Sequence, residues 1–289
     1  MIAATTGGTG ATLRAMKSRA STAAVAALAC GALLVACAPG SSADDAPAEY
    51  LPGYPATIDL PSGEPEAVVV LVPGGGWSTA DPTGLVPLAA ALVEADLAVV
   101  TITYGTSSTG DVYPRPVDDV ACAASFAAEQ VPGLPVVLVG HSAGAHLSLM
   151  AGLLPDRDDP ECPYPPHPAD AVVGLAGPYD VSITGEYGEH LFGVTKSQDP
   201  ELWREGNPHT WVDERPELPV LLVHGTYDNL ARVSFTEDMA AALQRAGHPV
   251  TMELLAGEDH NDVFRPDVVG DLLIGWVRRT VVLDAPVPV

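Results

Sequence analysis

The sequence predicts an α/β protein with a mostly parallel sheet that carries helices on both of its faces. Short apolar runs, rich in β-branched residues, alternate with longer segments of helical periodicity. The apolar runs are almost uninterrupted, as is typical of parallel strands, because crossover helices cover both faces of such a sheet. Strands are expected at 66–72, 97–103, 135–139, 171–176, 218–223 and 250–255, and helices at 84–94, 116–130, 142–154, 232–246 and 268–282.

Length and composition fit one large domain. The chain has 289 residues, of which 47 % are hydrophobic and 17 % charged, a globular rather than a disordered composition. The 37 acidic residues outnumber the 13 Lys and Arg and give a net charge of −24, which disfavours binding to nucleic acid. The sequence shows no internal repeat, and one α/β domain is predicted over residues 56–289.

Residues 1–36 are predicted to be a signal peptide. Basic residues within 14–19 precede an apolar stretch of the length of a signal-peptide core. The stretch ends in LVAC, from Leu34 to Cys37, which resembles the lipobox of bacterial lipoproteins. The resemblance implies cleavage before Cys37, lipidation of Cys37, and a protein anchored by lipid to the outside of the cell membrane. An ordinary secretory signal and a retained membrane anchor are the alternatives.

Residues 37–55 are predicted to be a flexible linker between the lipid and the domain. They are rich in Pro, Ala, Ser and Asp and have no apolar period. Met16, which is followed by Lys-Ser-Arg, is an alternative start of the same signal peptide.

Export changes the interpretation of the cysteines. Cys30 would be removed with the signal peptide and Cys37 would carry lipid, which leaves Cys122 and Cys162 as one pair in an oxidising compartment. Two separate buried thiols are the alternative, because sequence alone does not place the two Cα atoms within reach of each other. No His/Cys spacing typical of a zinc site occurs, and no metal site is expected.

A candidate nucleophile follows the strand expected at 135–139. The sequence GHSAG, Gly140 to Gly144, leads directly into a helical run. This is the G-x-S-x-G pattern in its required context, a strand, a tight turn and a helix, which exposes a serine hydroxyl at a helix N-terminus. Ser142 is therefore the candidate nucleophile, and the context makes a chance match a poor explanation.

A serine nucleophile needs a base, and the base needs an acid to orient it. Asp228 follows the strand at 218–223, and His260 follows the strand at 250–255, in the chain order Ser, acid, His. The competing acids adjoin His260 in sequence and are badly placed to reach its Nδ1 atom: Glu258, Asp259 and Asp262.

Structural or solvated roles are predicted for the other histidines. His141 is the variable position of the GHSAG turn, His146 lies on the helix that follows, and His224 closes a strand. The other four are expected to lie in loops and to be solvated: His167, His190, His209 and His248.

Three consecutive glycines after the strand at 66–72 suggest a loop that binds an anion through its main chain. The sequence PGGGW, Pro73 to Trp77, lacks the lysine and the spacing of a phosphate-binding loop. It matches instead the HGGG-type loop whose N–H groups stabilise the oxyanion formed during acyl transfer. The predicted donors are the N–H groups of Gly75, Gly76 and Ala143.

These motifs together resemble the α/β-hydrolase esterases and lipases with an HGGGW-like loop, which include hormone-sensitive-lipase-like and BD-FAE-type carboxylesterases. The resemblance covers about residues 64–282 and rests on seven motifs in order. It implies an α/β-hydrolase fold and hydrolysis of carboxylic esters by a Ser–His–Asp triad, without a cofactor. The motifs are PGGGW, YPRPVDDV, GHSAG, GPYD, NPHTWV, HGTYD and EDH.

Two departures from that family concern the surroundings of the site. Pro73 stands where the family has histidine, so any hydrogen bond from that histidine is missing. Only a short linker precedes residue 56, so little or no cap is expected, with 181–216 as the best candidate for a partial lid. The aromatic residues of this segment either line the pocket or simply pack the segment onto the sheet: Tyr187, Phe192, Trp203 and Trp211. Trp77, which adjoins the glycine loop, is the better candidate for the pocket wall.

The predicted function is therefore a serine carboxylesterase that acts on small or medium neutral esters. The acidic field of the chain disfavours anionic substrates. Amidase, arylformamidase or peptidase activity on the same triad is the closest alternative, because pocket shape chooses the substrate. A non-catalytic surface binding protein on the same scaffold is the alternative of a different class.

Overall fold

The computed structural model describes residues 48–155 and 159–283. The predicted signal peptide, Cys37 and the first part of the predicted linker lie outside the described residues. No helix in the described part of the chain combines the length and the hydropathy needed to cross a membrane.

Within the described residues, eight strands form one sheet in the order β1-β2-β4-β3-β5-β6-β7-β8. The pairs β1–β2 and β2–β4 are antiparallel, and all other neighbours are parallel. The strands are β1 (Ala48–Leu51), β2 (Tyr54–Asp59), β3 (Val68–Val72), β4 (Ala98–Ile102), β5 (Val136–His141), β6 (Ala171–Leu175), β7 (Val220–Gly225) and β8 (Val250–Leu255).

Helices cover both faces of this sheet. Alternate residues of the buried strands face opposite sides, so that Val68 and Val70 join one hydrophobic cluster with α2, α3 and α6, and Val69 joins the other with α1 and α7. The α-helices are α1 (Val86–Glu94), α2 (Arg115–Gln130), α3 (Ala143–Leu153), α4 (Glu186–Phe192), α5 (Pro200–Glu205), α6 (Val233–Ala246) and α7 (Pro266–Val277).

The six strands and five helices expected from the sequence are all present, with bounds shifted by a few residues. The α/β class and the mostly parallel sheet are thereby confirmed. Strands β1 and β2 and the short helices α4 and α5 were not predicted. They are short, and their apolar residues gain a partner only through contacts with distant parts of the chain.

The prediction of a linker up to residue 55, with the domain starting at 56, is wrong for its last residues. Tyr50 and Leu51 are buried in the main hydrophobic cluster, and β1 pairs with β2 at the edge of the sheet. The Tyr50 hydroxyl donates to the main-chain oxygen of Thr103, beyond β4. The described domain therefore includes the β1–β2 hairpin.

A disulfide joins Cys122 of α2 to Cys162, in the loop beyond α3, with Cα atoms 5.6 Å apart. The bond links α2 covalently to the segment between α3 and β6. Of the two alternatives that the sequence leaves open, the structure has the bridge and not two separate thiols.

Reduction of this disulfide is expected to lower the free energy of unfolding by about 4 kcal/mol, because the bond closes a span of 40 residues and restricts the unfolded chain. Urea unfolding of the wild type, with and without reductant, measures the difference. The variant Cys122→Ser should match the reduced wild type and should not respond to reductant. Equal midpoints for the wild type in both buffers would show that the bridge does not stabilise the fold.

Candidate active site

Four strands end at the edge of the sheet where the predicted site residues lie. Because β3, β5, β7 and β8 are parallel, their carboxyl ends meet at one edge, where open α/β sheets bind ligands. Ser142 follows β5, Asp228 follows β7 and His260 follows β8. The fold therefore gathers residues that are separated by up to 118 positions in the chain.

Ser142 occupies a tight turn between β5 and α3. Its φ of 52° and ψ of −120° are unfavourable for a residue with a side chain, and its N–H donates to the main-chain oxygen of Leu175 on β6. A Cβ atom at Gly140 would lie 2.1 Å from the oxygen of Gly144, and one at Gly144 would lie 2.3 Å from the oxygen of Val72. The two flanking glycines are required because main chain approaches from both sides.

Ser142, His260 and Asp228 form one series of hydrogen bonds. The Ser142 Oγ atom lies 2.9 Å from His260 Nε2, and His260 Nδ1 lies 2.6 Å from Asp228 Oδ2. The carboxylate only accepts, so Nδ1 carries a proton and leaves Nε2 free to accept from the serine hydroxyl. The structure brings together the three residues that the sequence suggested.

The Asp228 carboxylate is held in place by four donors. Its Oδ1 atom accepts from the N–H groups of Leu230 and Ala231, each at 2.8 Å, and Oδ2 faces His260 and His224. Burial acts to raise the pKa of Asp228, but the hydrogen bonds from His224, His260 and Ala231 outweigh it and hold this pKa well below its usual range. Asp228 is therefore ionised at neutral pH.

Two of the acids that adjoin His260 in sequence, Asp259 and Asp262, accept hydrogen bonds within their own loop. Asp259 Oδ1 accepts from the N–H groups of Asn261 and Asp262, and Asp262 Oδ2 accepts from the N–H of Asp259. These contacts turn both carboxylates toward the main chain of the loop. Asp228 is the acid that contacts Nδ1 of His260.

Two buried histidines have contacts with the site that the sequence analysis missed. His224 Nε2 lies 3.1 Å from Asp228 Oδ2, and His141 Nε2 donates to the main-chain oxygen of His260 at 2.8 Å. Burial, and after it the charge of His260, lower the pKa of His141 to about 4, so this ring is neutral at neutral pH. His141 is the last residue of β5 and His224 is the last but one of β7, and this position near the carboxyl end of a strand was the signal available in the sequence.

The glycine loop after β3 lies beside Ser142. Gly75 and Gly76 have φ values of 138° and 57°, and both line the same cavity as Ser142, Ala143 and His260. Within the described residues, no protein acceptor takes a hydrogen bond from the N–H of Gly75, Gly76 or Ala143. These main-chain donors are available to a group bound in the cavity.

Two buried side chains hold this loop in place of the missing histidine. The Tyr104 hydroxyl donates to the main-chain oxygen of Pro73 at 2.9 Å, and the Trp77 indole N–H donates to His146 Nδ1 at 3.3 Å. His146 Nε2 in turn donates to the oxygen of Gly206 at 2.9 Å, and burial lowers the pKa of His146 to about 4. Pro73 therefore does not leave the loop without support.

The cavity above Ser142 has a volume of about 550 Å³ and is lined mainly by apolar side chains. Asp81 and Arg232 are the charged side chains in its described lining, in addition to the groups of the site. Within the described residues, Arg232 forms no ion pair. The apolar lining includes Leu85, Pro178, Ile183, Tyr187, Leu230, Phe235 and Phe264.

The segment 181–216 contributes little to this cavity. It contains α4 and α5, and Ile183, Thr184 and Tyr187 are its residues in the described lining. Tyr187 lies at the mouth and is 64 % exposed. The other aromatic residues belong to the main hydrophobic cluster or pack against it, since Phe192 and Trp203 are buried and Trp211 is partly buried. Trp77 borders the cavity, but its side chain is only 2 % exposed.

The BD-FAE family model matches residues 58–243, which is more than half of the chain. The chain belongs to the BD-FAE family. The matched range includes the glycine loop, Ser142 and Asp228 and ends before His260.

Curated relatives of this BD-FAE member are esterases by name. Esterase LipQ of Mycobacterium tuberculosis (strain ATCC 25618 / H37Rv) is 29 % identical over 208 residues, which cover 65 % of the chain and 48 % of LipQ. The probable isoprenylcysteine alpha-carbonyl methylesterase ICME of Oryza sativa subsp. japonica is 28 % identical over 224 residues, 71 % of the chain and 54 % of ICME. The chain spans about half the length of these relatives.

Solved structures with the same fold include a truncated carbohydrate esterase from gut microbiota. Its TM-score is 0.67 and its sequence identity is 20 %, and the match covers 78 % of the chain and 90 % of the esterase. Thermogutta terrifontis esterase 2, phosphonylated by sarin, has a TM-score of 0.66 and 17 % identity over 81 % of the chain and 92 % of its own. These similarities show that the BD-FAE member has the α/β-hydrolase fold.

Proposed function

We propose that this protein is a serine carboxylesterase that hydrolyses small or medium carboxylic esters through an acyl-enzyme. The observation that carries the proposal is the continuous hydrogen-bond series from Asp228 through His260 to Ser142, which ends in an open, mainly apolar cavity. The esterase relatives support the same class of reaction.

In the proposed reaction, His260 Nε2 takes the proton of Ser142 while Oγ attacks the ester carbonyl carbon. The carbonyl oxygen becomes an oxyanion that the N–H groups of Gly75, Gly76 and Ala143 stabilise. The protonated His260 then gives its proton to the leaving alcohol as the C–O bond breaks. Water attacks the acyl-enzyme by the same route and releases the acid and free Ser142. Asp228 stabilises the charge on His260 throughout.

The cavity favours neutral esters with an apolar acyl or alcohol group. Its lining is mainly aliphatic and aromatic, and the net charge of the chain is −24. Apolar contacts gain free energy in proportion to the area removed from water, whereas the acidic field repels anions. The volume of about 550 Å³ is suited to groups of small or medium size.

The test uses the full-length protein and p-nitrophenyl esters from acetate to palmitate, together with a fluorophosphonate that is located by mass spectrometry. Turnover of the shorter esters and a single label on Ser142 are expected. Turnover of anilides or formylated arylamines, but not of esters, would replace the proposal by an amidase. A folded protein that neither turns over an ester nor takes the label would contradict the proposal and favour a binding protein.

The oxyanion loop yields a separate prediction. The variant Tyr104→Phe is expected to lower kcat about 5-fold with little change in KM, because the Pro73 carbonyl loses a buried hydrogen bond and the loop is less firmly positioned. Ester hydrolysis measures both constants. Tyr50→Phe is the matched control, since it removes a comparable bond to Thr103 away from the cavity. Equal effects of the two variants on kcat would contradict a role for Tyr104 in the loop.

We also propose export with a lipid anchor on Cys37. The sequence Leu34 to Cys37 supports it, and so does the disulfide, because such bonds persist mainly in oxidising compartments. Metabolic labelling with palmitate tests it in a bacterial host. Cys37→Ser should lose the label, whereas Cys30→Ser should keep it. Retention of the label by Cys37→Ser would contradict the anchor.

A further inference from the structure

We propose that His224 is a positioning residue that donates a second imidazole N–H to the Asp228 oxygen that orients His260. The inference rests on the proposed function, because it concerns how strongly Asp228 holds the proton of the catalytic base. The proposal gives the site a fourth functional side chain.

Both histidines meet at one oxygen atom. His260 Nδ1 lies 2.6 Å from Asp228 Oδ2, and His224 Nε2 lies 3.1 Å from the same atom. The other carboxylate oxygen is occupied by the N–H groups of Leu230 and Ala231. Both imidazoles therefore interact with the negative charge on Oδ2. Donation by His224 stabilises that charge and weakens the hydrogen bond that Oδ2 accepts from His260.

The surroundings of His224 determine which of its nitrogens carries the proton. Nε2 lies near Asp228 Oδ2 and the main-chain oxygen of Ala231, at 3.1 Å each, and both only accept hydrogen bonds. Nδ1 lies 2.8 Å from the Thr236 hydroxyl, which is able to donate. Both side chains are fully buried, so no solvent contact competes with these partners. His224 is therefore the Nε2–H tautomer, with Thr236 donating to Nδ1.

The groups around Asp228 come from three strands. His224 is the last residue but one of β7, and His260 follows β8. His141 ends β5 and is neutral at neutral pH because burial lowers its pKa to about 4. Without the donor at His224, the Asp228 carboxylate would be more basic and would hold the proton on His260 more tightly. The base would then become free to accept the Ser142 proton only at higher pH.

The experiment compares His224→Leu with His224→Gln and Thr236→Val. In His224→Leu, we expect the acidic limb of the kcat/KM profile to move up by about one pH unit, since a hydrogen bond to a charged group is lost. His224→Gln places an amide N–H near the position of Nε2 and should restore much of the wild-type profile. Thr236→Val removes a buried hydrogen bond of the same cluster but keeps the Nε2 donor, so it should lower stability without moving the limb.

Nuclear magnetic resonance of ¹⁵N-histidine protein provides a readout that does not depend on turnover. The pH at which the His260 ring takes up its second proton should rise in His224→Leu by the same amount as the limb. A shift seen by resonance in a protein without esterase activity would overturn the proposed function and keep the role of His224. Esterase activity with an unmoved His260 titration would overturn the role of His224.

The wild-type spectrum tests the proposal even if His224→Leu does not fold. The ¹⁵N shifts of His224 should identify a ring that carries its proton on Nε2 and accepts a hydrogen bond at Nδ1. A proton on Nδ1 alone would leave Nε2 without a hydrogen to donate to Asp228 and would overturn the proposal.

Discussion

The variant Ser142→Ala is expected to lower kcat for p-nitrophenyl acetate about 10⁶-fold, because the proposed acyl-enzyme forms on this hydroxyl and no other step replaces it. The effect should fall on kcat, since the variant leaves the cavity and the proposed oxyanion donors unchanged. Residual turnover above the uncatalysed rate is expected from those donors and from binding alone. Steady-state hydrolysis, with a fluorophosphonate titration of active sites, measures the loss.

Ser148→Ala is the matched control for this variant. Ser148 lies on α3, the helix that begins directly after Ser142. Its hydroxyl is buried and has no hydrogen-bond partner in the described part of the chain. Its removal should leave kcat within about 2-fold of the wild type, because it contributes nothing to the site. A Ser142→Ala protein that keeps more than a hundredth of the activity would show that another group is the nucleophile.

The variant Asp228→Asn is expected to lower kcat about 10⁴-fold while the protein stays folded. The amide NH₂ of the new side chain would face the N–H of His260 where a carboxylate oxygen now accepts. His260 would have to turn its bare nitrogen toward Asn and place its proton on Nε2, where it is unable to accept the proton of Ser142. Steady-state hydrolysis of p-nitrophenyl acetate measures the loss, and circular dichroism checks that the variant stays folded.

Asp262→Asn tests the specificity of that result. Asp262 adjoins His260 in sequence, but its carboxylate contacts the N–H of Asp259 and the side chain of Arg265. We expect its kcat to stay within about 3-fold of the wild type, with thermal stability slightly lowered because loop contacts are lost. A loss from Asp262→Asn as large as that from Asp228→Asn would exchange the roles of the two acids.

The parts of this structure that sequence predicted are those that local patterns encode. Buried parallel strands appear as apolar runs, and the turn at Ser142 carries its glycines with it. Asp228 and His260 could be placed because each directly follows such a strand. Their roles as the acid and the base then followed from the chain order Ser, acid, His.

The parts that escaped prediction depend on contacts between distant segments. Residue 50 looks like linker until β2 pairs with β4, because the burial of Tyr50 and its bond to Thr103 come from the assembled sheet. The contact of His224 with Asp228 depends on how the loop after β7 folds back, and that of His146 with Trp77 spans 69 positions. Side chains of this kind carry no signal in a single sequence beyond their place at a strand end or on a helix.

Main chain and side chains have different roles around the cavity, and this difference determines which positions can be substituted to change the substrate range. The proposed oxyanion donors belong to the main chain, so substitution cannot replace them and is restricted by the loop geometry. By contrast, Ile183, Tyr187 and Leu230 border the cavity and are 54 %, 64 % and 70 % exposed. Surface positions of this kind tolerate replacement at little cost in stability. A library confined to these three codons would therefore vary which esters the proposed esterase accepts and leave its proposed catalytic residues unchanged.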